Sequence, residues 1–210
     1  MDFLTKVLRP LKRLVKAVAR LSQPPMAMLN RDIPAKHVPM TQLLIGVNIA
    51  LFIVQILVFN FTECFALNSS VWYTYITSCF LHGSVRHLLG NMLFLSFIFP
   101  PIEKKYGSIF ILLAYIVTGI FGCALFALFL PNAHAIGASG SIFGMMMIWI
   151  LHNIMEKRPL LILPALFYFM LEGMRSGISL IAPDGIAHLG HYGAALGAFF
   201  LLPLMLAKRK

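Results

Sequence analysis

A serine flanked by glycines is the first residue of this sequence that could do covalent chemistry. Ser139 lies in the stretch GASG, between Gly137 and Gly140, where a long apolar segment begins. A serine hydroxyl is a weak nucleophile and needs an adjacent general base, for which histidine is the most common choice. His188 and His191 lie one helical turn apart later in the chain, and the residues alone leave open which of them serves Ser139.

A second polar group occurs earlier, in the stretch HGSVRHLLGN. His87 and Asn91 are four residues apart, so they share one face of a helix, and His82 precedes them. A single histidine, asparagine or serine within an apolar segment is more often a hydrogen-bonding contact between helices than a catalyst. Several such residues at one depth of the same bundle favour a functional site instead.

The elements that must position these residues are membrane helices. Of the 210 residues, 60% are hydrophobic and only 11% are charged, whereas soluble domains have about a quarter charged residues. The net charge of +10 does not indicate a nucleic-acid partner, because the basic residues precede or flank the apolar segments, as in membrane proteins. The three cysteines have no metal-ligand spacing, and we expect no metal and no cofactor.

Six apolar segments predict an all-α, polytopic bundle of six transmembrane helices. The fifth segment is interrupted by Glu172 and Arg175. A basic amphipathic segment and linker at 1–40 and a basic tail at 208–210 flank this membrane domain, which spans 41–207. In chain order the segments are 41–59, 87–102, 107–130, 139–155, a fifth that begins at 159, and 185–207.

The distribution of lysine and arginine predicts the orientation of the bundle. With six spans, the basic residues gather on one side, so both termini are expected in the cytoplasm. A short chain with a basic cytoplasmic arm fits a bacterial inner membrane. Ser139, His87 and the two later histidines then lie near the extracytoplasmic face.

Small residues and cysteines allow structural interpretations as well. Gly140 and Gly144 in the fourth segment, like a similar pair in the sixth, predict that these two helices approach each other closely. Cys64 and Cys79 could pair in an oxidising compartment, although free thiols are the simpler interpretation.

The stretches GASG, HGSVRHLLGN and GIAHLGHYGAALG, in this order, resemble the rhomboid family of intramembrane serine proteases. The stretches FLHG and PIEKKYGS agree, and the resemblance extends over 41–207. It implies hydrolysis of a peptide bond in or near the transmembrane helix of a substrate by a Ser–His dyad without a carboxylate. The implied partners are such substrate helices and the lipid bilayer.

The resemblance also implies residue roles. Ser139 matches the nucleophile, and His87, Asn91 and the Ser139 backbone N–H match the oxyanion hole. Family members often carry an extra histidine one turn before the catalytic one, which favours His191 as the base and leaves His188 as the second choice.

Four further residues are expected to support the site. Gly137 and Gly140 allow a close approach around the nucleophile, and His82 organises the first loop. Phe143 is placed to pack under the imidazole, but it is equally compatible with an ordinary core or lipid-facing position. The alternatives are a catalytically inactive rhomboid-like protein that binds transmembrane helices and a small proton-relaying transporter, which would leave GASG unexplained.

Overall fold

The computed structural model describes residues 38–179 and 187–208, so the predicted amphipathic segment lies outside the described residues apart from its last positions. The described residues form helices and loops, with no strand among them, and this confirms the all-α prediction. The α-helices are α1 (Pro39–Leu57), α2 (Phe61–Phe65), α3 (Thr74–Thr77), α4 (Val85–Tyr106), α5 (Ser108–Phe129), α6 (Ser139–Met155), α7 (Leu163–Ser179), α8 (His188–Gly197) and α9 (Leu202–Ala207). Short 3₁₀ helices occupy Ser78–Phe80, Pro159–Ile162 and Ala198–Leu201.

The long helices coincide with the predicted membrane segments. By length and hydropathy, α1, α4, α5 and the continuous stretch from α8 to α9 could each cross a bilayer, and α6 is a shorter apolar helix of 17 residues. The fifth segment is α7, which is the same length as α6 and carries Glu172 and Arg175. The last span changes to a 3₁₀ helix at Ala198–Leu201 because Pro203 lacks an N–H and its ring clashes with the carbonyl four residues earlier.

A buried carboxylate holds three helices together at the end of the bundle where α4 meets α5. Glu103 accepts hydrogen bonds from the Thr41 backbone N–H at 2.8 Å and from its hydroxyl at 2.6 Å, and a third from the Ser108 hydroxyl at 2.6 Å. Gly107 alone separates α4 from α5, with φ at +89°, a conformation that L side chains rarely adopt. The two long helices are therefore joined by a tight, anchored turn.

The centre of the bundle is α5, which is packed against α4, α6 and α8. Tyr115 on α5 is fully buried, and its hydroxyl donates to the Cys79 carbonyl at 2.7 Å. The Tyr115 carbonyl in turn accepts from the Ser141 hydroxyl of α6 at 2.7 Å. Because polar groups inside an apolar bundle must be paired, these bonds fix the first loop and α6 against α5.

The small residues do bring helices together, at α8 as predicted and also at α5. A Cβ added at Gly144 of α6 would lie 2.2 Å from the Cβ of Thr118 on α5, and one added at Gly193 of α8 would lie 2.6 Å from the Leu125 Cβ, also on α5. Gly140 faces α8, where an added Cβ would be in ordinary contact with the Ala194 Cβ at 3.9 Å. The predicted approach of the fourth and sixth spans is therefore seen at Gly140, whereas Gly144 and Gly193 pack α6 and α8 against α5.

Candidate active site

Ser139 begins α6, and its side chain reaches across to α8. The Ser139 Oγ and the His191 Nε2 lie 2.9 Å apart, which is hydrogen-bonding distance. The loop before Ser139 is held by backbone bonds, since the Gly137 N–H donates to the Ser78 carbonyl at 2.9 Å and the Leu67 N–H donates to the Ala135 carbonyl at 3.0 Å. Ser139 is thus presented on a fixed turn at the start of a helix.

The imidazole of His191 is held between neighbouring side chains. Phe143, one turn after Ser139, stacks on it with ring centroids 4.2 Å apart and planes inclined by only 9°. Phe143 also contacts Tyr168 and Phe169 of α7, at centroid distances of 5.5 Å and 5.3 Å. Of the two positions that the sequence left open for Phe143, the structure has the one against the imidazole, and this residue links the orientation of His191 to the packing of α7.

A carboxylate on α7 lies on the other side of His191. Glu172 Oε1 is hydrogen-bonded to the His191 Nδ1, and the same oxygen is 2.8 Å from the Nδ1 of His188. All three side chains are buried, with Glu172 only 3% exposed. The sequence led us to expect a Ser–His pair without a carboxylate, so this contact was missed. One signal was available, because an ionisable residue within a span tends to face the bundle interior and a polar partner.

The same three residues are the types that bind transition metals. Their ligand atoms all lie within 4.8 Å of one another, and two histidines with a glutamate form a common zinc-binding set. The described contacts within this cluster are hydrogen bonds, in which both Nδ1 atoms meet one carboxylate oxygen. His191 also directs its other nitrogen towards Ser139.

The two α4 residues line the same cavity as the serine. Gly137 separates the His87 ring from Ser139: a Cβ added there would lie 2.7 Å from the His87 Cε1 and 3.6 Å from the Ser139 Oγ. Gly137 also has φ at +134°, so both its backbone and its surroundings exclude a side chain. Asn91 is buried, and its Nδ2 is without a hydrogen-bond partner among the described residues, which leaves a donor available.

These groups surround one cavity of about 1080 Å³. Ser139, His191, His87, Asn91 and Glu172 all contribute to its lining, so the cavity brings together residues from four helices. A cavity lined by a hydroxyl, a histidine and free amide donors can hold a polar reacting group inside an otherwise apolar bundle.

His82 lies outside the helices but close to this cavity. It is 2% exposed, its ring centroid is 5.2 Å from that of His87, and its backbone N–H donates to the Gln55 Oε1 at 2.9 Å. Burial, together with the nearby His87, lowers the pKa of His82 to about 4. His82 is therefore neutral at pH 7, and its backbone ties the first loop to α1.

The cysteines are free thiols. Cys64 is exposed, and the Sγ of buried Cys79 lies 4.0 Å from that of Cys123 rather than near Cys64. The pairing of Cys64 with Cys79 is therefore not observed, and the simpler interpretation of free thiols is confirmed.

The family model for the rhomboid domain matches residues 69–208, about two thirds of the chain and all the residues of the cavity. The chain belongs to the rhomboid family. Among similar proteins, RHOMBOID-like protein 4 of Arabidopsis thaliana is 47% identical over 72 residues, which cover 34% of this rhomboid chain and 18% of the relative.

Two further relatives match over longer stretches. Rhomboid-like protein 11, chloroplastic, of Arabidopsis thaliana is 31% identical over 146 residues, covering 62% of this chain and 51% of the relative. Rhomboid protease GluP of Bacillus subtilis is 30% identical over 129 residues, covering 61% of this chain and 25% of the relative. The rhomboid chain described here thus spans between about a fifth and a half of the length of these relatives.

Proposed function

We propose that this rhomboid chain is a serine endopeptidase that cleaves membrane-protein substrates in or near their transmembrane helices. The observation that carries the proposal is the 2.9 Å contact between the Ser139 Oγ and the His191 Nε2 inside the cavity. A hydroxyl within hydrogen-bond reach of a histidine nitrogen is the arrangement that nucleophilic acyl transfer requires. The similarity to rhomboid protease GluP of Bacillus subtilis supports the same activity.

In the proposed reaction, His191 acts first as base and then as acid. Its Nε2 takes the proton of Ser139 while the Oγ attacks the substrate carbonyl, and the resulting imidazolium returns that proton to the leaving amine. Water then hydrolyses the acyl-enzyme by the same route and releases the second product. Both histidines contact Glu172 through Nδ1, and we propose His191 as the base because its Nε2 lies 2.9 Å from the Ser139 Oγ.

The developing oxyanion needs hydrogen-bond donors. We assign this role to His87, the Asn91 Nδ2 and the Ser139 backbone N–H, which belongs to the first helical turn, where backbone donors lack partners within the helix. The unpaired Nδ2 of Asn91 supports the assignment, because it keeps a donor free for a substrate. Removing one such donor typically costs about 3 kcal/mol of transition-state stabilisation.

We further propose that the cavity opens to the extracytoplasmic face of the cell inner membrane and that both termini are cytoplasmic. Two contacts made by lysines that flank the predicted spans support this orientation. Lys105 pairs with Glu156 at 3.4 Å, and Lys208 donates to the Tyr106 carbonyl, so these lysines gather at one end of the bundle. Ser139 begins α6 at the opposite end, about 25 Å away for a 17-residue helix.

The test uses purified full-length chain in detergent with a fluorescently labelled transmembrane substrate whose helix contains small residues. We expect cleavage by the wild type, none above background by Ser139→Ala or His191→Ala, and retained cleavage by His188→Ala. Cleavage by Ser139→Ala at the wild-type rate would reject the protease. Binding of the helix without cleavage by the wild type would favour the inactive, helix-binding alternative.

A further inference from the structure

We propose that Glu172 is a positioning residue that turns the Ser139–His191 pair into a Ser–His–Glu triad. The inference rests on the proposed protease activity and goes beyond it, because the family resemblance implies a pair without a carboxylate. Three described contacts carry it: Ser139 with the His191 Nε2, Glu172 with the His191 Nδ1, and Glu172 with the His188 Nδ1.

The tautomer of His191 follows from these contacts. A neutral imidazole has one N–H, and the other nitrogen accepts hydrogen bonds. Nε2 must be the acceptor if it is to take the proton of Ser139, so the hydrogen must be on Nδ1. An ionised carboxylate only accepts hydrogen bonds, and Glu172 Oε1 lies at that Nδ1. Glu172 therefore selects the tautomer that can act as a base.

Glu172 also acts when the proton moves. Transfer from Ser139 leaves His191 as a cation, buried in a region of low dielectric constant, where an adjacent negative charge is strongly favourable. The carboxylate does not need to accept the proton itself to do this, since it stabilises the imidazolium and keeps the ring oriented. Phe143 restrains the ring from its face, so Glu172 and Phe143 restrain different directions of motion.

His188 has a separate task in this arrangement. A carboxylate that is 3% exposed on a membrane helix is costly unless its oxygens are hydrogen-bonded. The Nδ1 of His188 donates to the same Oε1, at 2.8 Å, and keeps Glu172 directed towards α8. The two histidines thus share Glu172 but have different roles: His191 also contacts Ser139, and His188 holds Glu172 in place.

A purely structural role is the competing explanation, because Glu172 also ties α7 to α8. Glu103 offers a matched control, since it is equally buried at 3% exposure and also joins helices by accepting hydrogen bonds, at the opposite end of the bundle. Changing either glutamate to glutamine keeps the size of the side chain and removes its charge. The two variants should both lose thermal stability, but only Glu172→Gln should lose catalysis.

The experiment compares wild type, Glu172→Gln and Glu103→Gln by kcat, KM, thermal unfolding and the rate at which a fluorophosphonate probe labels Ser139. For Glu172→Gln we expect kcat and the labelling rate to fall at least tenfold, and up to about 10⁴-fold as in other triads, with KM changed by less than about twofold. For Glu103→Gln we expect a lower unfolding temperature and unchanged kcat in the folded protein. A Glu172→Gln enzyme that unfolds earlier but keeps wild-type kcat and labelling would overturn the proposal.

A measurement on the wild type covers the case in which Glu172→Gln does not fold. Nitrogen-15 NMR of histidine-labelled protein reports which ring nitrogen of His191 carries the proton, with the signal assigned by its loss in His191→Asn. A proton on Nδ1 supports the triad, and a proton on Nε2 overturns it. If the wild type neither cleaves the substrate nor reacts with the probe, the protease proposal fails, whereas the tautomer still tests the Glu172 contact by itself.

Discussion

Replacing Gly193 by alanine should separate the catalytic residues without touching either of them. Gly193 lies two residues after His191 on α8, where α8 crosses α5. A Cβ at this position would lie 2.6 Å from the Leu125 Cβ, 2.7 Å from the Phe121 carbonyl oxygen and 3.2 Å from the Gly122 Cα. Two of these three atoms belong to the α5 backbone, which cannot rotate away as a side chain can.

The size of the effect follows from that geometry. Ordinary contacts of a Cβ begin near 3.4 Å, so α8 must move away from α5 by roughly 0.8 Å, and His191 moves with it. A displacement of about 1 Å between reacting groups can lower the rate about 100-fold. Overpacking of this kind typically lowers the free energy of unfolding by about 1–3 kcal/mol.

The assay measures kcat on the labelled transmembrane substrate, the fluorophosphonate labelling rate of Ser139 and the unfolding temperature of the purified chain. The matched control is Gly46→Ala on α1, where an added Cβ meets no atom within 4 Å. We expect the control to keep wild-type kcat. A Gly193→Ala enzyme with kcat within twofold of wild type and an unchanged unfolding temperature would refute the idea that α5 sets the position of α8.

Further predictions concern the serine loop, the imidazole and the first loop. Gly137→Ala should abolish cleavage, because the new Cβ would lie 2.7 Å from the His87 ring at a φ of +134°; wild-type kcat would contradict this. Phe143→Leu should lower kcat about tenfold by freeing the His191 ring, and equal kcat would show that the stacking is incidental. Since the pKa of His82 falls to about 4 on folding, the free energy of unfolding should decrease by about 3 kcal/mol from pH 6.5 to pH 4 and level off below; His82→Gln should lack this decrease. Treatment with EDTA should leave kcat unchanged, whereas a loss that zinc restores would indicate a metal at Glu172.

Local sequence was sufficient to predict the helices because four of the six predicted spans are apolar runs long enough to cross a bilayer and a fifth is a shorter apolar run. Hydropathy was a weaker guide to the residue at which a helix ends. The second segment was predicted to end at 102, yet α4 continues to Tyr106, through Pro100 and Pro101 and past the charged residues that follow. The charged end of α4 is stabilised by Glu103, whose partners lie on α1 and α5, and this contact cannot be read from the segment alone.

The residues of the candidate site were likewise predictable only in part. GASG and the two later histidines are short patterns, so Ser139 and a choice between His188 and His191 could be read from the sequence, with the family resemblance favouring His191. The structure has Ser139 and His191 in hydrogen-bonding contact. Glu172 could be recognised as an unusual residue in its span but not assigned a partner, because its contact with His191 depends on how α7 lies against α8. Small-residue patterns have the same limit: they indicate that another helix packs closely at that position, but they do not identify which helix it is.

The central helix therefore has more influence on the chemistry than its own residues suggest. The proposed nucleophile begins α6 and the proposed base lies on α8, and each helix is packed on α5 through a glycine, Gly144 against Thr118 and Gly193 against Leu125. Because both contacts are close, neither helix can move relative to the other without losing its packing on α5. The distance between Ser139 and His191 thus depends also on a third helix, which contributes no reacting group. Substitutions on α5 that change volume should alter kcat in proportion to how far they displace α6 or α8, even though they touch neither substrate nor catalytic atoms.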